Sequence, residues 1–244
     1  DLIDLFIGSE GTLGIISEIE IRLLNKPKYT WGGMFFFRQE ENAIKFVRLL
    51  REGRESVHAE SVRYGVEFIN SKPVAIEYFN SDALDLLRRQ KKDSKGFSQI
   101  PDIENEFNAA IYVEFDEDRE EDIMNSIIDA AKKSELCGGK EENNWIASTP
   151  QLMECMKLFR HAVPETVNLI IDQRRKEDPN ITKLGTDMAV PDEKLEEIIK
   201  MYKSNLTECG FESVMFGHIG DNHIHVNILP RNMEEYSKGK ELYA

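Results

Sequence analysis

The chain has 244 residues, of which 41% are hydrophobic and 31% are charged, and its formal net charge is −14. This length and composition are typical of a globular protein with one large domain or two small ones. The negative charge argues against binding to nucleic acid or to an anionic membrane surface, because those partners attract clustered positive charge.

The first 27 residues are predicted to form two strands around a glycine-rich turn at residues 8–14, and Pro27 marks a boundary. Strands and helices alternate after this boundary, because short runs of β-favouring residues precede segments with apolar residues at helical spacing. The predicted strands are residues 30–38, 74–79 and 109–115. The predicted helices are residues 41–51, a segment from Asp82 with Ser81 as its cap, residues 120–134, residues 149–175 with a kink or break at Pro164, and residues 194–207. Residues 91–99 are polar and are predicted to be a mobile connection.

This order of elements is close to the split βαβ pattern of ferredoxin-like sandwiches. The predicted fold class is therefore α+β, with a ferredoxin-like antiparallel sheet and helices packed mainly on one face. Three widely spaced cysteines without a CxxC pair indicate reduced thiols. No membrane-spanning run or signal peptide is visible, so we expect a cytoplasmic protein, with peripheral attachment at the inner face of the membrane as an alternative.

Near its C-terminus the chain reads FGHIGDNHIHVN over residues 216–227, and three of its five histidines lie here. If Asp221 and Asn222 form a two-residue hairpin loop, His218 faces His225 across the ladder. Facing residues have Cβ atoms roughly 4.5–5.5 Å apart, close enough for two imidazoles to bind one metal ion. The alternative is a pair of structural histidines. Two ligands do not complete a catalytic zinc site, so a third must come from elsewhere.

Five motifs resemble one enzyme family. Residues 4–16 (DLFIGSEGTLGII) resemble the last segment of the flavin-binding domain in the vanillyl-alcohol-oxidase/PCMH superfamily. The histidine segment resembles the GHxGDGNxHxN element in the C-terminal cap of its D-lactate dehydrogenase, glycolate oxidase and D-2-hydroxyglutarate dehydrogenase branch. Three motifs between them resemble the "ALE", "VEF" and "DVAVP" elements of that cap: PVAIEY at residues 73–78, YVEF at residues 112–115 and TDMAVP at residues 186–191.

The resemblance implies a division into the tail of a PCMH-type FAD-binding domain, residues 1–27, and a substrate or cap domain, residues 28–244, truncated at its C-terminus. Since the chain begins at Asp1 rather than methionine, we expect a fragment that is inactive by itself. The resemblance also implies that a third metal ligand and a candidate catalytic base lie in a Glu-His-Gly segment beyond Ala244.

The glycine-rich turn is the predicted flavin contact. Glycines let the backbone approach a planar ring, and main-chain groups can bond its pyrimidine edge. The residues concerned are Glu10, Gly11, Gly14, Ile15 and Ile16. The alternative is a plain β-turn between two core strands.

In the resemblance, His218 and His225 match the two metal-ligating histidines. His223 stands where many members have asparagine, and it is expected to support the ligands from outside or to be exposed, with an extra ligand as the alternative. Arg160 matches an arginine that holds the substrate carboxylate, a task that suits a planar guanidinium. The alternative interpretation is that Arg160 is an exposed residue on the surface of its helix. Lys183 is a second candidate for a similar role.

The resemblance therefore implies a flavin-dependent oxidoreductase that oxidises a D-2-hydroxy acid to the 2-oxo acid, with FAD and a divalent metal, zinc or alternatively iron or manganese. An iron–sulfur subunit, an electron-transfer flavoprotein or a quinone would accept the electrons, and a homodimer is possible. Two other functions stay open: a non-redox flavoenzyme like alkyl-glycerone-phosphate synthase, and a non-catalytic metal- or ligand-binding module.

Overall fold

A computed structural model describes residues 2–51, 72–93 and 100–243. Its strands are β1 Tyr29–Phe37, β2 Ala75–Asn80, β3 Ala109–Glu117, β4 Trp145–Ala147, β5 Leu184–Gly185, β6 Ser213–Gly217 and β7 His225–Ile228. Its α-helices are α1 Leu2–Phe6, α2 Glu40–Arg51, α3 Ser81–Asp93, α4 Glu120–Leu136, α5 Pro150–Arg174, α6 Leu195–Cys209 and α7 Met233–Tyr243. Short 3₁₀ helices are Glu141–Asn143, Asp192–Lys194 and Ile219–Asp221.

The strands form one antiparallel sheet in the order β4-β1-β3-β2-β6-β7-β5. The predicted α+β class with an antiparallel sheet is confirmed. Strands β2 and β6 are adjacent although more than 130 residues separate them in the chain, and this pairing joins the two halves of the sheet. The centre of the sheet therefore brings distant segments together.

Helices cover both faces of the sheet, which corrects the prediction that they pack mainly on one. In β1, Phe35 and Phe37 face a core shared with α2, α4 and α6. Met34 and Phe36 face the opposite core, which α3 and α5 cover. Because both faces of the central strands are apolar, each face needs its own layer of helices to exclude water.

The helix ends follow local rules that the sequence already shows. Thr149 caps α5, where its side-chain oxygen accepts a hydrogen bond from the Leu152 backbone N–H. Helix α5 continues past Pro164 to Arg174, so the proline does not end it. Gly210 adopts a left-handed conformation after α6, with φ of 64°, a common way for a helix to end.

The N-terminal segment departs from the prediction of two strands. Residues 2–6 form the short helix α1, and residues 7–28 contain no strand. A strand needs a neighbour for its backbone hydrogen bonds, and the segment pairs with no strand among the described residues. Twelve large apolar side chains between residues 2 and 24 are exposed, and Ile15 is the most exposed of them at 98%.

The predicted mobile connection lies mainly outside the described residues, since α3 extends to Asp93 and the description resumes at residue 100. Within the described ranges, the helices are too short or too polar to cross a membrane.

Candidate functional site

The site lies where the end of β6 meets the middle of β2. These strands pair Phe79 with Phe216 and Tyr78 with Gly217. One further residue along this register sets Glu77 beside His218, and Glu77 Oε1 lies 2.9 Å from His218 Nδ1. A carboxylate oxygen accepts this hydrogen bond from His218 Nδ1, and in that tautomer of the neutral imidazole Nε2 carries the lone pair that a metal ion needs.

Helix α5 brings Arg160 to the same carboxylate. A guanidinium nitrogen of Arg160 lies 2.5 Å from Glu77 Oε1. The Glu77 side chain is only 6% exposed, whereas that of Arg160 is 32% exposed. A buried carboxylate is costly unless charged or donating groups surround it, so Arg160 and His218 together make Glu77 tolerable here. The arginine in turn reaches the surface with donors to spare.

Tyr112 lies next to Glu77 in the sheet, because β2 and β3 pair these two residues. Its hydroxyl donates a hydrogen bond to Glu114, at 2.5 Å. Burial, reinforced by this contact with Glu114, raises the pKa of Tyr112 far above its usual range. The phenol therefore stays neutral at every physiological pH, and it adds no negative charge beside Arg160.

The predicted two-residue hairpin is wrong. Strands β6 and β7 pair Phe216 with His225, so His218 does not face His225 in the ladder. Gly217 leaves the strand with φ of 137°, and a 3₁₀ turn follows at Ile219–Asp221. The wider loop nevertheless brings the two rings together, with centroids of His218 and His225 5.5 Å apart.

A second group of side chains, of residue types that can bind metal ions, lies against this loop. His223 Nε2 is 2.8 Å from Asp187 Oδ1, and His225 Nδ1 is 3.5 Å from the same oxygen. One potential ligand atom from each of Asp187, His223 and His225 lies within 4.8 Å of the others. The rings of His223 and His225 are 4.5 Å apart between centroids.

Backbone contacts place Asp187 beside the histidines. The Thr186 N–H donates to the Val226 carbonyl at 2.9 Å, and Ala189 forms an isolated bridge with His223. The segment around Asp187 therefore follows β5 along the same edge of the sheet and runs antiparallel to β7. This position depends on tertiary pairing between segments almost 40 residues apart.

A polar network fixes the other side of the histidine loop. Arg51 donates hydrogen bonds to Asn222 and to Asp192, and the Asn222 amide also donates to Asp192, at 2.5 Å. The hydrogen bond from Asn222, together with Arg51, lowers the pKa of Asp192. Asn222 has φ of 55°, a conformation that asparagine tolerates better than most residues. The network thus holds the loop against the end of α2.

The structure brings together some of the predicted residues and not others. Arg160, His218, His223 and His225 lie in one continuous cluster through the contacts given above. His223 is nearer to His225 than the predicted hairpin implied. Lys183 is exposed just before β5 and forms no ion pair within the described parts of the chain.

The five predicted flavin contacts, residues 10, 11 and 14–16, all lie in the exposed N-terminal segment. Glu10 and Gly11 occupy the centre of a turn that the Thr12 N–H closes onto the Ser9 carbonyl at 2.9 Å, and both have positive φ. The predicted glycine-rich turn is thus present as a turn, although no strands flank it.

Two residues of the cluster were given no role by sequence reasoning, although both lie in motifs noted there. Glu77 is in the PVAIEY motif and Asp187 in the TDMAVP motif. Their roles depend on partners 36 or more residues away, which local spacing does not reveal.

Replacing Glu77 by glutamine is expected to lower the free energy of unfolding by about 1–3 kcal/mol, since Arg160 and His218 lose the negative charge of their buried acceptor. A loss near the lower end of this range is expected, because solvent screens the ion pair between Glu77 and the partly exposed Arg160. Urea denaturation followed by circular dichroism measures the change. Glu120→Gln, at an exposed position, is the matched control, and an equal effect in both variants would contradict the prediction.

Comparison with known proteins adds the family context. The model of the family described as "FAD linked oxidases, C-terminal domain" matches residues 55–244. A D-lactate dehydrogenase of Anaerostipes hadrus is 27% identical over 96% of this chain and 43% of its own length. The mitochondrial D-lactate dehydrogenase [cytochrome] 1 of Saccharomyces cerevisiae is 21% identical over 98% of this chain and 36% of its own length.

An alkyldihydroxyacetonephosphate synthase structure superposes with a TM-score of 0.62 at 14% identity, over 99% of this chain and 43% of that one. At this identity the likeness shows the fold alone. The chain spans about two-fifths of the length of these proteins.

Proposed function

Because the chain belongs to the family of FAD linked oxidases, C-terminal domain, we propose that it is the substrate-binding part of a flavin-dependent oxidoreductase that converts a D-2-hydroxy acid to the 2-oxo acid. The membership confirms the family resemblance drawn from the motifs. The observation that carries the proposal is the convergence of Arg160 and His218 on Glu77, beside His225. This arrangement sets a carboxylate-binding cation next to groups suited to a metal ion or a hydroxyl.

Arg160 is proposed to bind the substrate carboxylate. Glu77 fixes one edge of the guanidinium and is its one ion-pair partner within the described ranges. The remaining N–H donors suit a second, bidentate partner such as a substrate carboxylate. Fixing the carboxylate restricts how the substrate Cα–H can point, which is the orientation that a hydride transfer needs. Lys183, an exposed cation, is a second candidate for contact with an acidic substrate.

A divalent metal ion, zinc or alternatively iron or manganese, is the second part of the proposal, with His218 and His225 as ligands. The donor chemistry fits, because His218 Nδ1 is engaged by Glu77 and His225 Nδ1 lies 3.1 Å from the Thr186 carbonyl. Metal-binding histidines usually donate their other ring N–H to such acceptors, which leaves Nε2 for the ion. The ion would act as a Lewis acid toward the substrate hydroxyl.

FAD is the proposed oxidant, and when bound it supplies the two-electron acceptor for the substrate. Residues 1–27 are proposed to belong to the flavin-binding domain, with the turn at Glu10 and Gly11 against the flavin and residues 28–244 as the cap. The exposed apolar side chains of residues 2–24 support this division, because such a surface is normally covered in a folded protein. An iron–sulfur subunit, an electron-transfer flavoprotein or a quinone is the proposed electron acceptor. The protein is proposed to be a monomer or, alternatively, a homodimer.

Rapid anaerobic mixing of the flavin-loaded full-length protein with D-lactate, glycolate or D-2-hydroxyglutarate tests the proposal. Loss of the visible flavin absorbance and formation of the 2-oxo acid are expected with at least one of these substrates. L-lactate and L-2-hydroxyglutarate are the stereochemical controls, and dithionite shows that the bound flavin can be reduced. Bound flavin that none of the three acids reduces would contradict the proposal and favour a non-redox enzyme or a non-catalytic module.

A further inference from the structure

Three side chains of the types that bind metal ions converge at the start of β7. We propose that Asp187, His223 and His225 form a three-ligand site for a divalent transition metal of the zinc class. This inference rests on the proposed function and refines its metal site: His225 stays a ligand, and Asp187 and His223 replace His218 as the other two.

The donor types match zinc chemistry. Two imidazoles and one carboxylate are a common ligand set of catalytic zinc, which keeps a further position open for water or substrate. Such atoms bind tetrahedral zinc at about 2.0–2.2 Å, so two ligands of one ion lie roughly 3.3–3.6 Å apart. One donor atom from each of the three side chains lies within 4.8 Å of the others, so a shift of about 1 Å brings them to these separations.

The side chain that would shift is free to do so. The Asp187 side chain is 81% exposed, whereas those of His223 and His225 are about one-quarter exposed. A flexible carboxylate can therefore adjust to two imidazoles that the loop already holds. The hydrogen-bonding contact between Asp187 and His223 would be replaced by two bonds to the ion.

The two histidines are oriented by contacts outside the ligand set. The backbone N–H of His223 donates to the His218 carbonyl at 3.1 Å, and its bridge to Ala189 fixes the other side. His225 Nδ1 lies 3.1 Å from the Thr186 carbonyl, the kind of acceptor that orients a metal-binding imidazole. These contacts make His223 and His225 a fixed pair rather than two independent side chains.

His223 also distinguishes this chain from the usual motif. It stands where many members of the resembling family have asparagine, whose amide is a poor zinc ligand. His223→Asn therefore removes the imidazole with a side chain that the motif tolerates, and Asp187→Asn removes the charge while keeping the shape.

Calorimetric titration of the chelator-treated, flavin-loaded protein with Zn²⁺ is the test. His223→Asn and Asp187→Asn are each expected to weaken Zn²⁺ binding by about tenfold or more, since loss of a ligand costs at least as much as loss of its supporting partner. His161→Asn, on exposed α5 surface, and Asp221→Asn, in the same loop, are the matched controls and should bind Zn²⁺ like the unaltered protein. Co²⁺ absorption spectra should change in the first two variants only.

The possible results separate this inference from the proposed function. If Asp187→Asn and His223→Asn bind Zn²⁺ normally while His218→Ala and His225→Ala do not, the three-ligand site is wrong and the His218–His225 pair stands. If the unaltered protein binds no Zn²⁺, Co²⁺ or Mn²⁺, the site is also wrong. Flavin reduction by a D-2-hydroxy acid would still uphold the reaction in either case.

Discussion

Replacing Arg160 by methionine is expected to lower kcat/KM for the D-2-hydroxy acid by about a hundredfold or more. Truncating one partner of a desolvated, hydrogen-bonded charge pair costs roughly 2–5 kcal/mol, and each 1.4 kcal/mol is tenfold. The substitution removes the proposed partner of the substrate carboxylate and also leaves Glu77 with His218 as its one remaining charged or polar partner among the described contacts. Steady-state kinetics with a dye acceptor measures the effect.

The fall in kcat/KM should come mainly from a higher KM. A carboxylate remote from the reacting carbon is bound similarly in the ground state and the transition state. Arg160→Lys should recover part of the loss, since it keeps the charge without the planar fork. Lys157→Met, an exposed cation one turn earlier on α5, is the matched control. If the folded Arg160→Met protein retains the kcat/KM of the control, Arg160 does not bind the substrate.

Replacing Gly217 by alanine is expected to lower the free energy of unfolding by about 2–6 kcal/mol and to abolish metal binding. The backbone φ of 137° is strained for any residue with a Cβ atom, which costs about 1–3 kcal/mol. The added Cβ would also lie 2.8 Å from His225 Cδ2 and 3.0 Å from the His223 carbonyl oxygen. Relief of that overlap must move the two histidines, at a further cost of about 1–3 kcal/mol.

Gly210→Ala separates strain from steric overlap. Gly210 also has a positive φ, 64°, but a Cβ there would meet no heavy atom within 4 Å. We expect this control to cost only about 1 kcal/mol and to leave Zn²⁺ binding unchanged. Urea denaturation and calorimetry measure both variants. Equal destabilisation by the two, with Zn²⁺ binding intact in Gly217→Ala, would show that the loop does not hold the histidines as described.

Most elements after residue 28 were predictable because their determinants are local. The continuous apolar run of β1, the helical spacing in α2 and the glycine that ends α6 each act within a few residues. The N-terminal strands were not predictable in the same way. Their apolar residues have strand-like character, but the described residues offer them neither a hydrogen-bonding partner nor a core.

The histidine loop shows why the site was only partly predictable. A Gly-Asp-Asn sequence favours a tight hairpin, so the sequence predicted a two-residue turn. Gly217 and the network of Arg51, Asn222 and Asp192 instead stabilise a wider loop, through contacts from α2 and from the 3₁₀ helix that precedes α6. A tertiary network thus overrides the local turn preference.

By itself, the sequence determined the fold class, the family motifs and the histidine-rich segment, because these follow from short-range spacing and residue type. Only the tertiary structure decided that helices cover both faces of the sheet, that Glu77 joins Arg160 to His218, and that Asp187 meets His223. The physical reason is the pairing of β2 with β6 and of residues 184–189 with β7 and His223. Such pairings depend on packing between segments far apart in the chain, which no local pattern encodes.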